Sequence, residues 1–236
     1  MRLQVFLSHS GACSRRRALE LIKFGRVKVN GSIIREPSYQ VGTNENGVYL
    51  DNKKIFLKEN IYILLNKPKG VTTTKKDHFA EKTVMDLLPL QYQHLNPVGR
   101  LDKDTTGLLI LTNDGDLAYK LSHPSFGVDK AYVAYLDKTL SENHKRMLEK
   151  GIELDGELTS ACKIIQLDEK RIKITIHQGR KRQIRRMLAI LRYKVMDLAR
   201  IEFGGLSLGN LAIGSLRKIS DKELIKLQEI VEKSNR

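Results

Sequence analysis

The chain has 236 residues, of which 41% are hydrophobic and 29% are charged, and this composition excludes a disordered or a fibrous protein. Its 42 Lys and Arg residues outnumber its 27 Asp and Glu residues, so that the net charge is +15 at pH 7. That excess favours a polyanionic partner such as a nucleic acid, with a merely solvated basic surface and a membrane surface as alternatives.

Only two cysteines are present, Cys13 and Cys162, and neither has a second Cys or a His at metal-ligand spacing. The sequence therefore predicts neither a disulfide framework nor a metal site. Polar residues such as Gln4 and Ser8 interrupt the apolar opening, and no later apolar run approaches membrane-spanning length. We expect a soluble, cytoplasmic protein that does not associate with membranes.

The first sixty residues predict two helices followed by a small sheet. The predicted elements are helices over residues 3–10 and from Ser14 to Gly25, and strands over residues 27–29, 33–34, 48–50 and 55–57. Asn30–Gly31 is typical of a two-residue hairpin turn, and residues 51–54 form a second polar turn. We expect a small N-terminal domain over residues 1–58.

The remainder, residues 59–236, predicts a larger α+β domain. Strands are expected over residues 62–65, 107–112, 131–136, 164–167, 172–176 and 195–203, and helices over residues 116–122, 141–150, 181–191 and 221–233. Strands and helices alternate irregularly, and neither a GxGxxG nor a GxxxxGK[ST] stretch occurs. No nucleotide cofactor is expected.

Cations concentrate on and just after the second predicted helix, opposite its apolar face. They include Arg15, Arg16, Arg17, Arg26 and Lys28. Such a cluster suits RNA phosphates, because guanidinium groups bind phosphate oxygens bidentately, although simple solvation explains many charged helix faces. The stretch from Leu7 through Ser14-Arg15-Arg16-Arg17-Ala18 to Gly31 resembles an S4 domain, and this resemblance implies binding of structured RNA.

The densest motif runs from Gly99 to Gly115, where the polar loop around Asp102 and Asp104 leads into an apolar strand. Spacing alone is compatible with two ordinary loop carboxylates. The stretch, however, resembles the signature of the RsuA/RluB/RluF group of pseudouridine synthases, G-R-L-D followed by T-x-G-L-L-x-L-T-x-D-G. The resemblance implies a mainly antiparallel catalytic domain in which Asp102 is the catalytic aspartate and Asp104 a loop residue.

Three further stretches match this group in order. Residues 130–133 resemble its lysine-x-tyrosine segment, which implies that Tyr132 faces the target base. The alternative is that Tyr132 is an ordinary core residue of the strand. Residues 178–188 resemble its basic loop and helix, which implies that Arg185 pairs with Asp102. The remaining expected RNA contacts are Lys67, in a matching segment over residues 65–70, together with Arg100, Lys130, Arg182 and Arg186.

The resemblance implies isomerisation of uridine to pseudouridine in ribosomal RNA, free or in an assembly particle. Neither a redox equivalent nor a group donor is required, so no cofactor is expected. We expect a monomer acting on large-subunit rather than small-subunit RNA. Two alternatives remain: a non-catalytic RNA-binding protein of ribosome assembly on the same fold, and a glycosidase-like hydrolase using Asp102 with Asp104.

Overall fold

The computed structural model describes residues 1–42, 47–75 and 79–233. Residues 43–46 of the predicted N-terminal domain, and residues 76–78 and 234–236 of the predicted second domain, lie outside the described residues. The chain divides into two compact units, Met1–Ile61 with Asn113–Gly115, and Tyr62–Thr112 with Asp116–Arg236. Among the described residues, no helix is long and apolar enough to cross a membrane.

Within residues 1–42 and 47–61, the N-terminal unit contains two helices and one antiparallel sheet. Its elements are α1 (Leu3–His9), α2 (Arg15–Lys23), β1 (Val27–Val29), β2 (Ser32–Ile33), β3 (Val48–Leu50) and β4 (Lys53–Lys54), with the strands in the order β2-β1-β3-β4. Ser14 starts α2, since its side chain accepts a hydrogen bond from the Arg17 amide. Ala18, Leu21 and Ile22 then turn into the core of this unit. Both predicted helices are confirmed.

Turn chemistry sets the register of this sheet. Asn30 and Gly31 both have positive φ, 49° and 85°, as a two-residue hairpin turn requires, so the predicted turn is confirmed. The strand predicted over residues 55–57 is wrong. Asp51 and Asn52 also take positive φ, 49° and 63°, and they close a second tight turn that brings β4 back against β3 two residues earlier.

The second unit is built on one large mixed sheet. Its strands are β5 (Tyr62–Lys67), β6 (Asn96–Pro97), β7 (Thr106–Thr112), β8 (Lys130–Leu136), β9 (Glu153–Leu154), β10 (Glu157–Leu158), β11 (Lys163–Gln166), β12 (Arg171–Ile176), β13 (Val195–Phe203), β14 (Leu206–Ser207) and β15 (Leu216–Lys218). The order is β11-β12-β8-β13-β7-β5-β15, with β14 on β13 and β6 on β7, while β9 and β10 form a separate hairpin. Its pairings are antiparallel except that between β13 and β7.

In the part of the chain that the structure describes, the α-helices beside this sheet are α3 (Gly115–Ser122), α4 (Glu142–Lys150), α5 (Gln183–Ile190) and α6 (Asp221–Lys233). Part of the core lies where the apolar residues of β5, β7 and β13 meet α3 and α6, including Leu64, Leu108, Leu121, Phe203 and Leu227. The α+β class with a mainly antiparallel sheet is confirmed. Helix α5 begins two residues later than predicted, because Arg182 takes a left-handed conformation with φ 52°.

Gly107 permits the close approach of the two parallel strands. Its φ is 104°, and a Cβ atom at this position would lie 2.2 Å from the backbone oxygen of Arg200. Any larger residue would push β7 and β13 apart. Arg200 of β13 is thereby held directly beside the strand that follows the Asp102 loop.

Candidate active site

A cavity of about 270 Å³ opens in the second unit. It is lined by the loop before β7, by β8, by the loop leading into α5 and by β13. The residues on its wall include Arg100, Asp102, Thr105, Lys130, Tyr132, His177, Arg182, Arg200 and Phe203. The structure thus brings together Asp102, Tyr132, Arg100, Lys130 and Arg182 from the sequence prediction.

Asp102 lies half-buried in this cavity on a loop that is fixed from both sides. The preceding Leu101 is buried, its amide donates to the Thr73 hydroxyl at 3.3 Å, and its carbonyl accepts from the same hydroxyl at 2.8 Å. The Thr105 amide donates to the carbonyl of Asp102 at 3.0 Å. The backbone that carries the Asp102 carboxylate is therefore held in place before any substrate arrives.

Asp104 binds the arginines of the α5 segment. Arg182 donates two parallel hydrogen bonds of 2.9 Å to its carboxylate, and the Arg185 Nε lies 3.3 Å from Oδ2. Arg185 also donates to the carbonyls of Asp104 at 3.1 Å and of Val195 at 2.7 Å. Hydrogen bonding from Arg182 is the main cause that lowers the pKa of the Asp104 carboxyl below its ordinary value.

The ion pair expected between Arg185 and Asp102 is therefore not the one that forms, because the left-handed turn at Arg182 and the start of α5 deliver both guanidinium groups to Asp104. In residues 1–42, 47–75 and 79–233, the Asp102 carboxylate has neither a hydrogen bond nor an ion pair. Its charge still acts at longer range: the pKa of Arg182 is raised mainly by the hydrogen bonds to Asp104, and the charge of Asp102 adds to this increase. Asp102 faces the cavity with its oxygens available.

Tyr132 lies in the middle of β8 and lines the cavity while only 8% exposed. It stands opposite Ile174 on β12 and opposite Arg200 on β13. A tyrosine on a strand that is paired on both sides offers an apolar ring face against which a planar base can pack.

Two buried cations share the cavity wall with this tyrosine. Lys130 donates from Nζ to the carbonyls of Val128 at 3.0 Å and His177 at 3.3 Å. Burial, followed by the neighbouring Arg200 charge, lowers its pKa to about 8. Arg200 was missed by the sequence analysis, although an arginine within an otherwise apolar stretch of the predicted strand over residues 195–203 was a usable signal.

An RNA contact requires an exposed side chain, and the Lys67 side chain is buried. Its side chain is 0% exposed, and Nζ donates to the carbonyls of Pro68 at 2.9 Å and Val71 at 2.8 Å. Burial is the main cause that lowers its pKa to about 8. Lys67 fixes the turn that follows β5 and does not reach a phosphate.

The other predicted RNA contacts are at the surface of their own units. Arg100 is exposed at the cavity, and Arg186 is 2.5 Å from Asp155. Of the predicted contacts in the N-terminal unit, four are exposed and Lys28 is half-buried. The exposed ones are Arg15, Arg16, Arg17 and Arg26. Several of these cations have acidic or amide partners, as Arg17 has Glu20 and Arg26 has Asp51. Their roles in binding RNA stay predictions.

Comparisons with known proteins agree with this architecture. The model of the RNA pseudouridylate synthase family matches residues 61–190, and the S4 domain model matches residues 1–46. The chain is 40% identical to "Ribosomal large subunit pseudouridine synthase B" of Bacillus subtilis, over 98% of this chain and 97% of that protein. It is 33% identical to "Dual-specificity RNA pseudouridine synthase RluF" of Escherichia coli, over 100% of this chain and 81% of that protein.

Among solved structures, a crystal structure of a pseudouridylate synthase superimposes with a TM-score of 0.71 at 31% sequence identity, covering 96% of this chain and 99% of the other. The fold and the cavity define an RNA-modifying enzyme with an appended S4 domain. The chain belongs to the RNA pseudouridylate synthase family.

Proposed function

We propose that this pseudouridine synthase isomerises uridine in the RNA of the large ribosomal subunit, with Asp102 as its reacting carboxylate. The name of the Bacillus subtilis relative supports the large-subunit assignment, and the +15 charge of the chain supports a ribosomal RNA partner, free or in an assembly particle. The enzyme works as a monomer in the cytoplasm. Residues 1–58 form its RNA-binding domain, and residues 59–236 its catalytic domain.

The reaction rearranges bonds within one nucleotide. The bond between N1 and C1′ breaks, the base turns, a bond between C5 and C1′ forms, and the C5 proton leaves while N1 gains a proton. No atom is added overall and no electron leaves the nucleotide, so the proposed reaction uses no cofactor. A carboxylate and a proton acceptor are a sufficient set of groups.

The observation that carries the proposal is the division of roles between two neighbouring carboxylates. Asp104 receives the arginines, whereas the Asp102 carboxylate faces the cavity without a side-chain partner in the described residues. A carboxylate that attacks C1′, or that removes a sugar proton to give a glycal, needs oxygens that no neighbouring side chain occupies. Asp102 meets this requirement and Asp104 does not.

Tyr132 and Arg185 have supporting roles in this proposal. The Tyr132 ring packs against the uracil, and its hydroxyl relays the C5 proton. Arg185 bridges the carbonyls of Asp104 and Val195, so it ties the loop of Asp102 to the start of β13. The target nucleotide must leave its stack at a cost of a few kcal/mol, which phosphate contacts at the basic surfaces offset.

Release of tritium from C5-labelled uridine tests the assignment. Large-subunit and small-subunit ribosomal RNAs, each naked and in unmodified particles, are incubated with the wild-type enzyme, and the release is compared. We expect release from the large-subunit substrate only. Release from the small-subunit RNA alone would overturn the subunit assignment, and unchanged RNA that binds tightly would favour an assembly role. Free uracil in place of an isomerised base would indicate a hydrolase.

A further inference from the structure

The cavity wall contains two buried polar atoms that the proposed mechanism does not use. Arg200 and Thr105 are each only 2% exposed and both line the cavity. Among the described residues, Nη2 of Arg200 and Oγ1 of Thr105 have no hydrogen-bond partner. A buried polar group without a hydrogen-bond partner destabilises the folded protein, and a buried charged group does so more strongly. A ligand could supply the missing partners, so this pair is a candidate ligand-binding element.

The rest of the Arg200 guanidinium is firmly placed. Its Nε donates to the Leu108 carbonyl at 2.8 Å, and its Cζ lies 4.7 Å from the centre of the Phe203 ring. The close approach of Gly107 fixes the backbone at the same point. The guanidinium group is therefore held at the cavity wall without having to reorganise, which is what a binding group in an enzyme requires.

The charge of this wall favours an electron-rich ligand atom. Arg200 brings a guanidinium group to this wall, and Lys130 lies near it, since burial first and then the Arg200 charge lower the pKa of the Lys130 ammonium group. Leu108, the partner of the Arg200 Nε, contributes only a backbone carbonyl. An acceptor oxygen or a developing anion is stabilised at such a place because little water screens it.

The sheet register brings this charge to the expected position of the base. Arg200 and Tyr132 stand directly opposite each other on β13 and β8, so their side chains project from the same face of the sheet. A uracil packed against the Tyr132 ring thus has its edge near the guanidinium. The hydrogen-bond acceptors on that edge are the carbonyl oxygens O2 and O4.

We propose that Arg200, with Thr105 beside it, binds a carbonyl oxygen of the target uracil and stabilises the negative charge that the base carries after the bond between N1 and C1′ breaks. This inference rests on the proposed function. When that bond breaks, its electron pair passes to N1 and is delocalised over O2 and O4. Formation of the bond between C5 and C1′ uses a ring electron pair, and loss of the C5 proton with protonation of N1 restores a neutral base.

The test replaces a carbonyl oxygen of the target uracil by sulfur and the guanidinium of Arg200 by another group, first separately and then together. RNA substrates contain uridine, 2-thiouridine or 4-thiouridine at the target, because sulfur is a weak hydrogen-bond acceptor. The enzymes are the wild type, Arg200→Gln, Arg200→Lys and Thr105→Val. Arg171→Gln, at the exposed start of β12, is the matched control. Single-turnover pseudouridine formation, RNA affinity and thermal unfolding are measured for each.

We expect Arg200→Gln to slow single turnover roughly ten- to a hundredfold at unchanged RNA affinity, Arg200→Lys to recover part of the rate, and Thr105→Val to cause a smaller loss. One thio substitution should slow the wild type and Arg171→Gln about tenfold, yet leave Arg200→Gln without further loss.

An equal thio effect in the wild type and in Arg200→Gln, or no thio effect in the wild type, would overturn the role of Arg200. The second outcome is decisive even if Arg200→Gln does not fold, because it needs only the wild type. A wild type that forms pseudouridine in uridine-containing RNA but shows no thio effect refutes this inference alone. A wild type that forms none in any ribosomal RNA refutes the proposed function as well.

Discussion

The two units of the molecule differ in where they place positive charge. In the N-terminal unit, the arginines at the start of α2 are exposed, and the side chains that pack its core are apolar. The described residues of the second unit also include buried cations, among them Lys67, Lys130 and Arg200. The first arrangement attracts a polyanion from a distance and is screened by salt, whereas the second acts only on groups that enter or adjoin the cavity.

A similar contrast separates the two carboxylates of the loop before β7. Asp104 is bound by Arg182 and Arg185 and serves the local structure, while Asp102 faces the cavity without such partners in the part of the chain that the structure describes. We propose that burial and pairing, more than residue type, separate the groups that hold the site from the group that reacts. Substitutions on either side of that separation should have different effects.

The largest effect is expected for Asp102→Asn. This change removes the negative charge from the cavity while keeping the shape of the side chain, so kcat should fall roughly 1,000-fold or more. RNA affinity should stay within about twofold, because the exposed arginines are untouched. Product formation under saturating RNA, together with filter binding, measures both quantities. Turnover near the wild-type rate would remove Asp102 from its assigned role.

A smaller effect is expected for Asp104→Asn. The neutral amide loses the ion pairs with Arg182 and Arg185, and the start of α5 is then less firmly tied to the Asp102 loop. We expect kcat to fall about ten- to a hundredfold with little change in KM, since misplacement of the reacting groups affects the transition state most. A rise in KM at unchanged kcat would show that the pair serves RNA binding instead.

Neutralising Arg15, Arg16 and Arg17 together to Gln should change binding and not chemistry. We expect Kd for ribosomal RNA to rise roughly tenfold at moderate salt, and the salt dependence of binding to become shallower by about one unit for each phosphate that the variant no longer binds. The saturated rate should stay at the wild-type value. Lys222→Gln, on the exposed start of α6, is the control for a general charge effect. An unchanged salt slope would assign this cluster to solvation alone.

The smallest effect concerns an ion pair that serves only the fold. Arg217 of β15 donates to Glu223 of α6 at 2.7 Å and 2.8 Å, and with Ser220 it lowers the pKa of that carboxyl from 4.5 to about 2. Because the folded state binds this proton less tightly than the unfolded state, the stabilisation is full above pH 4.5 and is lost as pH falls through about 2.

Glu223→Gln should therefore lower the free energy of unfolding by about 1 kcal/mol at neutral pH, a value reduced by partial solvent exposure, and the difference should shrink toward pH 2. Urea unfolding of both proteins between pH 2 and pH 7 measures it. Activity at neutral pH should be unaffected. A difference that is constant over this range would mean that the carboxylate charge is not what stabilises the contact.

Local signals predicted much of the fold. The Ser14 cap and the Asn30–Gly31 turn each depend on a few adjacent residues, so the sequence predicts them correctly. Short strands such as β14 and β15 were missed because they have too few residues for a side-chain alternation, and β15 is held by backbone hydrogen bonds to the distant strand β5. The resemblance to a known signature located the Asp102 loop, which spacing alone left ambiguous.

The partners of individual side chains were harder to predict. Asp102 and Asp104 are two residues apart, and only the three-dimensional path of the α5 segment decides that Arg185 reaches Asp104. Lys67 ends a strand, a position usually exposed, but the next residues turn back and offer carbonyls to its ammonium group. The position of Arg200 beside Gly107 and Tyr132 follows only from the pairing of β13 with β7 and β8, which the sequence does not predict.

The most direct test of the account is single-turnover release of C5 tritium by Asp102→Asn and Asp104→Asn side by side, with enzyme in excess over labelled ribosomal RNA. Enzyme excess removes differences in RNA affinity, so the rates report the chemical step. We predict no detectable release by Asp102→Asn and slow but complete release by Asp104→Asn. Release by Asp102→Asn at or above the rate of Asp104→Asn would contradict the assignment of the reacting carboxylate.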